Sequence, residues 1–117
     1  MQGILLKQSD HLKLWNPRFF RLEDSRLLFY TEQPRDLNSE RPRAIIRVDT
    51  CSIPPGLTVL PDTLDLSHKF VFNVALPNGG RNYILASPDR NEAEKWLFAL
   101  QAASVCFVVS IYHNFSE

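Results

Sequence analysis

The groups in this sequence best suited to bind a ligand are basic side chains near the ends of two apolar segments. Residues 3–7 form an apolar run that ends in a lysine, and residues 15–22 follow after a short polar loop. Arg18 shares a strand face with Phe20 and Leu22, because alternate side chains of a β-strand point to opposite faces. The apolar pair can pack into a core while the arginine stays at the rim. This pattern predicts a β module that presents cations at one open end.

Catalytic chemistry has no comparable signature in the sequence. No Ser/His/Asp or Cys/His arrangement is recognisable, and Gly79-Gly80 follows a hairpin signal rather than a strand-to-helix turn that would cradle a phosphate. Cys51 and Cys106 are too few and too far apart for a disulfide framework or a zinc site. They indicate reduced thiols in the cytoplasm. We therefore expect a protein that is not an enzyme and uses no metal and no cofactor.

Length and charge limit the class of protein further. The 117 residues suffice for about one domain with its own core, and the formal net charge is zero. Residues 1–48 carry nine Lys/Arg against six Asp/Glu, whereas residues 49–117 carry four against seven. This polarity can orient a protein at an anionic membrane, although two solvated surfaces of opposite bias explain it equally well. The balance is not basic enough for nucleic acid to be the main partner. Lys7 and Asp10 interrupt the first apolar run, so no secretory signal is expected.

Strand signals fill most of the chain before residue 87. Asn78-Gly79-Gly80 supplies the positive φ angles of a hairpin turn between the last two strands. Residues 54–62 contain Pro, Gly and Asp and are predicted to be irregular. About seven antiparallel strands are expected in all. The clearest predicted strands are residues 3–7, 15–23, 26–31, 44–48, 69–76 and 81–86.

The hydrophobic period changes after residue 87 from that of a strand to that of a helix. Ser87 with Pro88 forms one candidate helix start, and Asp89 with Glu92 forms a capping box as the alternative. An apolar stripe follows, and it includes Trp96, which we assign to the core. Its members are Ala93, Trp96, Leu97, Leu100 and, at its end, Ala103 or Ser104. The sequence thus predicts a mainly β fold, a small barrel or orthogonal sandwich of seven antiparallel strands with one C-terminal α-helix over its opening.

The order and spacing of these motifs resemble those of a pleckstrin homology (PH) domain over residues 3–104. The motifs are Gly3-x-Leu5-x-Lys7, Trp15-x-x-Arg18-x-Phe20-x-Leu22, Leu27-x-x-Tyr30, and Trp96 within a capped C-terminal helix. The resemblance implies a seven-stranded, strongly bent barrel whose C-terminal helix covers one end. It also implies a binding module without enzymatic activity. The open end would carry three variable loops, at residues 8–14, 32–42 and 77–82.

Family members that bind phosphoinositide headgroups share a basic constellation that this chain matches in part. The resemblance assigns headgroup contacts to Lys7, Lys13, Arg18 and Arg43, and rim positions to His11, Asn16, Arg41 and Arg81. Two positions depart from the pattern. Asn16 replaces the first cation of a Lys/Arg-x-Arg pair, and Phe29 replaces a tyrosine on strand three.

The resulting functional prediction is a module of an intracellular signalling or adaptor protein that recruits it peripherally to membranes. About 1 kcal/mol for each of four cations gives only a millimolar dissociation constant, so tighter binding requires directed contacts. Without donors at Asn16 and Phe29 we expect weak-to-moderate phosphoinositide binding of low specificity. The alternatives left open are that Arg18 pairs with Asp10, that Lys7 and Lys13 are ordinary solvated charges, and that the module binds a protein partner or another domain without significant lipid affinity.

Residues 105–117 lie beyond the resemblance. They are an extension too apolar for an ordinary solvated tail. We expect them to continue the helix for a turn or two, although folding back onto the barrel or contact with a neighbouring chain are alternatives.

Overall fold

A computed structural model describes residues 1–61 and 68–115, with side chains up to residue 105. It contains seven strands, a single 3₁₀ turn at Val48–Thr50 and one α-helix. The strands are β1 (Gln2–Gln8), β2 (Trp15–Glu23), β3 (Arg26–Tyr30), β4 (Ala44–Arg47), β5 (Thr58–Pro61), β6 (His68–Ala75) and β7 (Asn82–Ser87), and the helix is α1 (Arg90–Phe115).

All seven strands belong to one antiparallel sheet with the order β4-β3-β2-β1-β7-β6-β5. The predicted fold class is confirmed, with the qualification that the sheet is not closed: β4 and β5 are its two edges. An isolated bridge between Ser52 and Ala75 joins the chain after the 3₁₀ turn to the end of β6. The sheet is therefore bent and open rather than a complete barrel.

The core lies on the inner face of the bent sheet, under α1. Leu5 and Phe20 of the strands are 1% and 0% exposed, and Trp96 of the helix is 0% exposed. The assignment of Trp96 to the core is thus confirmed. The predicted stripe supplies the rest of the helix contact, because Ala93, Leu97, Leu100 and Ala103 are also buried in the same cluster. Burial of a large apolar side chain stabilises the fold by about 1.5–3 kcal/mol, so this stripe fixes the helix to the sheet.

Helix α1 starts after Asp89, which is its N-cap. The Oδ1 atom of Asp89 accepts a hydrogen bond from the backbone N–H of Asn91 at 2.9 Å. The backbone N–H of Asp89 donates to Ser87 Oγ at 3.0 Å. Of the two predicted helix starts, the one with Asp89 as the cap is correct, and Ser87 binds the N–H that a capping box would assign to Glu92.

Two segments differ from their sequence-based description. β5 (Thr58–Pro61) lies within the stretch predicted to be irregular, and all four of its residues are exposed. A short edge strand of this kind lacks the apolar alternation that identifies half-buried strands. At the C-terminus, α1 extends about three turns past residue 104, to Phe115. The domain boundary at residue 104 stays a prediction, and the side chains from residue 106 onward lie outside the described part. Within the residues described, no helix combines the length and apolarity needed to cross a bilayer.

Candidate anion-binding site

Lys7 occupies the open end of the inner face of β1. Leu5 and Gly3 precede it on the same face of the strand. Leu5 is in the core. Gly3 lies beside the helix, because a Cβ added there would be 3.9 Å from Trp96 Cζ2. The face therefore runs from the helix-covered end at residue 3 to the open end at residue 7. Because β-strand side chains alternate with a period of two, the strand that buries Leu5 must also turn Lys7 inward. The Lys7 side chain therefore lies on the core side of the sheet, not on its outer surface.

Two aromatic rings flank the Lys7 ammonium. Its Nζ atom lies 5.6 Å from the ring centroid of Phe29 on β3 and 5.2 Å from that of Tyr83 on β7. The two rings meet edge to face, with centroids 6.5 Å apart at 65°. Both distances fall within the range in which an aromatic face attracts a cation. The rings hold the ammonium between the two halves of the sheet.

A cavity of about 880 Å³ opens above this lysine. This volume lies within the roughly 300–1,000 Å³ typical of small-molecule sites. Its walls come from the loops β1–β2, β3–β4 and β6–β7 and from the strand ends beside them. The cationic side chains in the lining are Lys7, Arg18, Arg43 and Arg81, and the imidazole of His11 lies beside them. The open end is therefore the basic end of the sheet.

The β1–β2 loop is closed by its own hydrogen bonds. The backbone N–H of Ser9 donates to the Leu14 carbonyl at 2.8 Å, and the backbone N–H of Leu14 donates to Ser9 Oγ at 3.0 Å. Lys13 has a φ of 55°, in the left-handed region. Its side chain is exposed and does not line the cavity. These bonds fix the loop that forms one wall.

The arginines are positioned by the backbone and by one carboxylate. Arg18 donates from Nη1 to the carbonyl of Pro17 at 2.8 Å. The backbone N–H of Arg43 donates to the carbonyl of Phe29 at 2.7 Å, which sets the start of β4 beside β3. Asp10 lies 3.9 Å from the Nε atom of Arg81, so the carboxylate considered as a partner for Arg18 pairs with another loop.

The charge balance in the cavity favours an incoming anion. Burial lowers the pKa of Lys7 below its ordinary 10.5, and the positive charges of Arg81, Arg18 and Arg43 lower it further. The Asp10 carboxylate raises the pKa of Lys7, but less than burial lowers it. A lysine that loses hydration and faces three arginines gains from a bound anion, because the anion restores favourable electrostatic contacts.

Six of the eight residues predicted for the site line this cavity. They are Lys7, Arg18, Arg43, His11, Asn16 and Arg81. Lys13 and Arg41 do not line it, and Arg41 instead borders a second cavity of about 540 Å³ along the β3–β4 loop. Sequence reasoning missed Tyr83 and did not foresee that Asp10 would lie in the wall. The available signal for Tyr83 was its position two residues before buried Leu85, on the same face of β7.

The described residues include no group of three or more His, Cys, Asp or Glu side chains that could hold a metal ion. The site is therefore described by its cations, its two aromatic rings and one carboxylate. Such an arrangement can bind an anion electrostatically and through donated hydrogen bonds.

An open antiparallel sheet of seven strands, a C-terminal helix over one end and a basic cavity among the loops at the other end define a PH-type binding module. The chain belongs to the PH domain family, whose sequence model matches residues 1–105. PH domains are non-enzymatic binding modules, and the fold of this chain is accordingly non-catalytic.

Known relatives agree with this assignment. A pleckstrin homology domain-containing protein 1 from Arabidopsis thaliana is 29% identical over 96 residues. That alignment covers 81% of this chain and 61% of the relative, so the chain spans less than two thirds of that protein.

Two solved structures share the architecture. The PH domain of human oxysterol binding protein-related protein 11 superposes with a TM-score of 0.69 at 23% identity, covering 95% of this chain and 84% of that one. The C-terminal PH domain of pleckstrin in complex with D-myo-Ins(1,2,3,5,6)P5 gives a TM-score of 0.63 at 25% identity, covering 89% and 93%.

Proposed function

We propose that this module binds phosphoinositide headgroups weakly to moderately and with low specificity, and thereby recruits the protein that carries it to membranes. The observation that carries the proposal is the meeting of Lys7, Arg18 and Arg43 in one cavity between the loops. The inositol pentakisphosphate bound by the related pleckstrin domain supports the same ligand class.

Directed contacts provide the expected affinity. Cations near an anionic surface contribute about 1 kcal/mol each, which leaves a few charges at millimolar affinity. Hydrogen bonds to charged phosphate oxygens contribute roughly 1.5–3 kcal/mol each. Lys7 and Arg18 lie on adjacent strands of the inner face and can converge on one phosphate group. Three such bonds supply roughly 5–9 kcal/mol, a range that ends near the about 8 kcal/mol of a micromolar dissociation constant and agrees with weak-to-moderate binding.

Low specificity follows from the positions that lack a charge or a donor. Asn16 contributes a neutral amide to the cavity and Phe29 contributes a ring without a hydroxyl. Asp10 adds a negative charge to the same wall. Discrimination between phosphate positions depends on fixed donors directed at each of them, and this cavity has few. The ligand is therefore held chiefly by its total charge.

The cellular role follows from this chemistry. A module of this kind serves an intracellular signalling or adaptor protein that moves between the cytoplasm and the membrane surface. The exposed cations Lys13 and Arg41 lie outside the cavity lining. We assign them to the bilayer surface around the headgroup, where single charges act without a fixed partner.

Vesicle co-sedimentation tests the proposal. Phosphatidylcholine vesicles with and without phosphatidylinositol bisphosphate are mixed with wild-type protein and with Arg18→Ala and Lys7→Ala. The control is Arg26→Ala. Arg26 is exposed, and its Nη2 atom lies 3.8 Å from Glu23 Oε2. We expect both cavity variants to lose about tenfold or more in affinity and Arg26→Ala to lose less than about twofold.

The opposite result favours the alternative function. Equal binding of wild type to both kinds of vesicle, or unchanged binding after Arg18→Ala and Lys7→Ala, would argue against headgroup binding in this cavity and would favour a protein-interaction module. Salt dependence by itself does not separate the two functions, because rim charges of protein interfaces are screened in the same way.

A further inference from the structure

Tyr83 lies in the wall of the cavity opposite β3. It is on β7, where it shares the inner face with Leu85 and pairs with Val74 of β6. Its side chain is only 7% exposed, and it lines the same cavity as Lys7. The ring is thus held by the core while one edge faces the site.

The phenol oxygen of Tyr83 is open to the cavity. Among the described residues, the buried polar side-chain atoms without a hydrogen-bond partner are Asp49 Oδ1 and Trp96 Nε1. The Tyr83 hydroxyl is not one of them, and no hydrogen bond among the described residues involves it. A phenol in a buried ring that is neither shielded nor bonded has its oxygen at the cavity surface. It is therefore a donor available to a ligand.

We propose that Tyr83 is a headgroup-binding residue whose O–H donates a hydrogen bond to a phosphate oxygen of the ligand bound beside Lys7. This inference rests on the proposed phosphoinositide function. The family resemblance predicts a tyrosine hydroxyl on β3, but this chain has Phe29 there. In the proposed arrangement Tyr83 on β7 supplies that hydroxyl instead. The donor reaches the ligand from the opposite wall, so the phosphate lies between Arg18 on β2 and Tyr83 on β7.

The ring and the hydroxyl of Tyr83 have separate tasks. The ring centroid lies 5.2 Å from Lys7 Nζ and, together with Phe29, orients the ammonium. The hydroxyl contacts the ligand itself. Tyr83→Phe removes the donor and keeps the cation–π contact, whereas Tyr83→Leu removes both. The two substitutions therefore distinguish direct ligand binding from positioning of Lys7.

Isothermal titration with inositol trisphosphate, the soluble headgroup of a bisphosphorylated phosphoinositide, tests the assignment. We expect Tyr83→Phe to weaken binding about tenfold, the usual effect of losing one hydrogen bond to a charged group, and Tyr83→Leu to weaken it further. The control is Tyr30→Phe. Tyr30 is equally buried but lies on the other face of the sheet, against Phe19 at 5.9 Å, and its loss should leave affinity unchanged.

A measurement on the wild-type protein makes the result independent of how the variants fold. The ¹³C resonance of the Tyr83 Cζ atom should shift on addition of inositol trisphosphate, because a new hydrogen bond changes the electron density at the phenol carbon. The Tyr30 Cζ resonance should stay in place.

Failure of this inference is distinguishable from failure of the proposed function. If wild-type protein shows no binding of inositol trisphosphate, the phosphoinositide function itself is wrong. If wild type binds and Arg18→Ala weakens it, while Tyr83→Phe binds within twofold of wild type or the Tyr83 Cζ resonance does not move, the role given to Tyr83 is overturned and the function stands.

Discussion

Lys7 of β1 and Asn16 of β2 are direct partners in the antiparallel register, so a neutral amide lies beside the central ammonium of the site. Directly opposed residues of neighbouring strands have Cβ atoms about 4.5–5.5 Å apart. Any charge introduced at residue 16 therefore acts on the same ligand group as Lys7.

Asn16→Lys is expected to strengthen headgroup binding about fivefold to tenfold, because it adds a cation to the cavity wall. It should also lower the free energy of unfolding by about 0.2–1 kcal/mol, since like charges directly opposite each other repel. Titration calorimetry and urea denaturation measure the two effects. Asn16→Gln is the matched control and should change neither. A charged variant with unchanged affinity would show that residue 16 does not face the ligand.

Asp10→Asn is expected to increase affinity about threefold to fivefold, because among the described residues Asp10 is the one acidic side chain in the cavity lining. Its ion pair with Arg81 has 48% and 73% of the two side chains exposed at a separation of 3.9 Å. Exposed pairs contribute about 0–1 kcal/mol, so thermal stability should barely change. The gain should shrink as salt is added. Asp24→Asn, at the exposed β2–β3 turn, is the control, and an equal gain from it would point to net charge alone.

Headgroup binding should begin to weaken at a lower pH than it would if Lys7 had the pKa of an ordinary lysine. Burial lowers the pKa of Lys7 in the folded chain, while the unfolded chain keeps a value near 10.5. Headgroup phosphates are fully ionised above about pH 8 and an ordinary tyrosine ionises only near pH 10, so a loss of affinity that begins between about pH 8 and 9 reports the lysine. The Lys7→Arg variant keeps its charge and should show a flat profile over this interval. Identical profiles for wild type and Lys7→Arg would contradict the prediction.

The same shift has a consequence for stability. Between the lowered folded pKa of Lys7 and 10.5, the unfolded chain holds more protons than the folded one, so the free energy of unfolding rises with pH across this interval. Lys7→Met removes the partly buried charge and keeps an unbranched chain between the two rings. We expect it to weaken headgroup binding about tenfold or more, as Lys7→Ala does, and to raise the thermal midpoint slightly. A lower midpoint would mean that the cation–π contacts stabilise the fold more than burial of the charge destabilises it.

Gly3 provides a test of the core that is separate from binding. A Cβ at this position would lie 3.9 Å from Trp96 Cζ2, an ordinary van der Waals contact. Gly3→Ala should therefore be neutral or stabilise by up to about 1 kcal/mol, since alanine restricts the unfolded chain. Gly3→Leu should destabilise by about 1–3 kcal/mol, because the larger side chain must displace the indole. Chemical denaturation measures both, with the exposed neighbour Gln2→Leu as control. Equal stability of Gly3→Leu and wild type would show that the indole can move.

Local patterns in the sequence were sufficient for most of the framework. The period-two alternation of residues 15–22 placed Arg18 on the same strand face as Phe20 and Leu22, and the register confirms this, because Arg18 pairs with buried Leu5. The hairpin turn was also predicted correctly, with Asn78 and Gly79 at φ angles of 61° and 72°. These features depend on interactions between residues close in the chain, which the sequence displays directly.

The tertiary structure decided the composition of the site. Tertiary contacts also decided burial outside the site. Phe19 points to the opposite face of β2 from Phe20, yet it is only 4% exposed, because Tyr30 of the next strand packs against it. Tyr83 enters the cavity because β7 pairs with β1, a contact between segments almost eighty residues apart. The same arrangement brings Asp10 to Arg81 and leaves Lys13 outside the lining. A strand's own pattern determines which of its side chains point inward, but only the order of strands in the sheet determines which side chains of distant strands meet there.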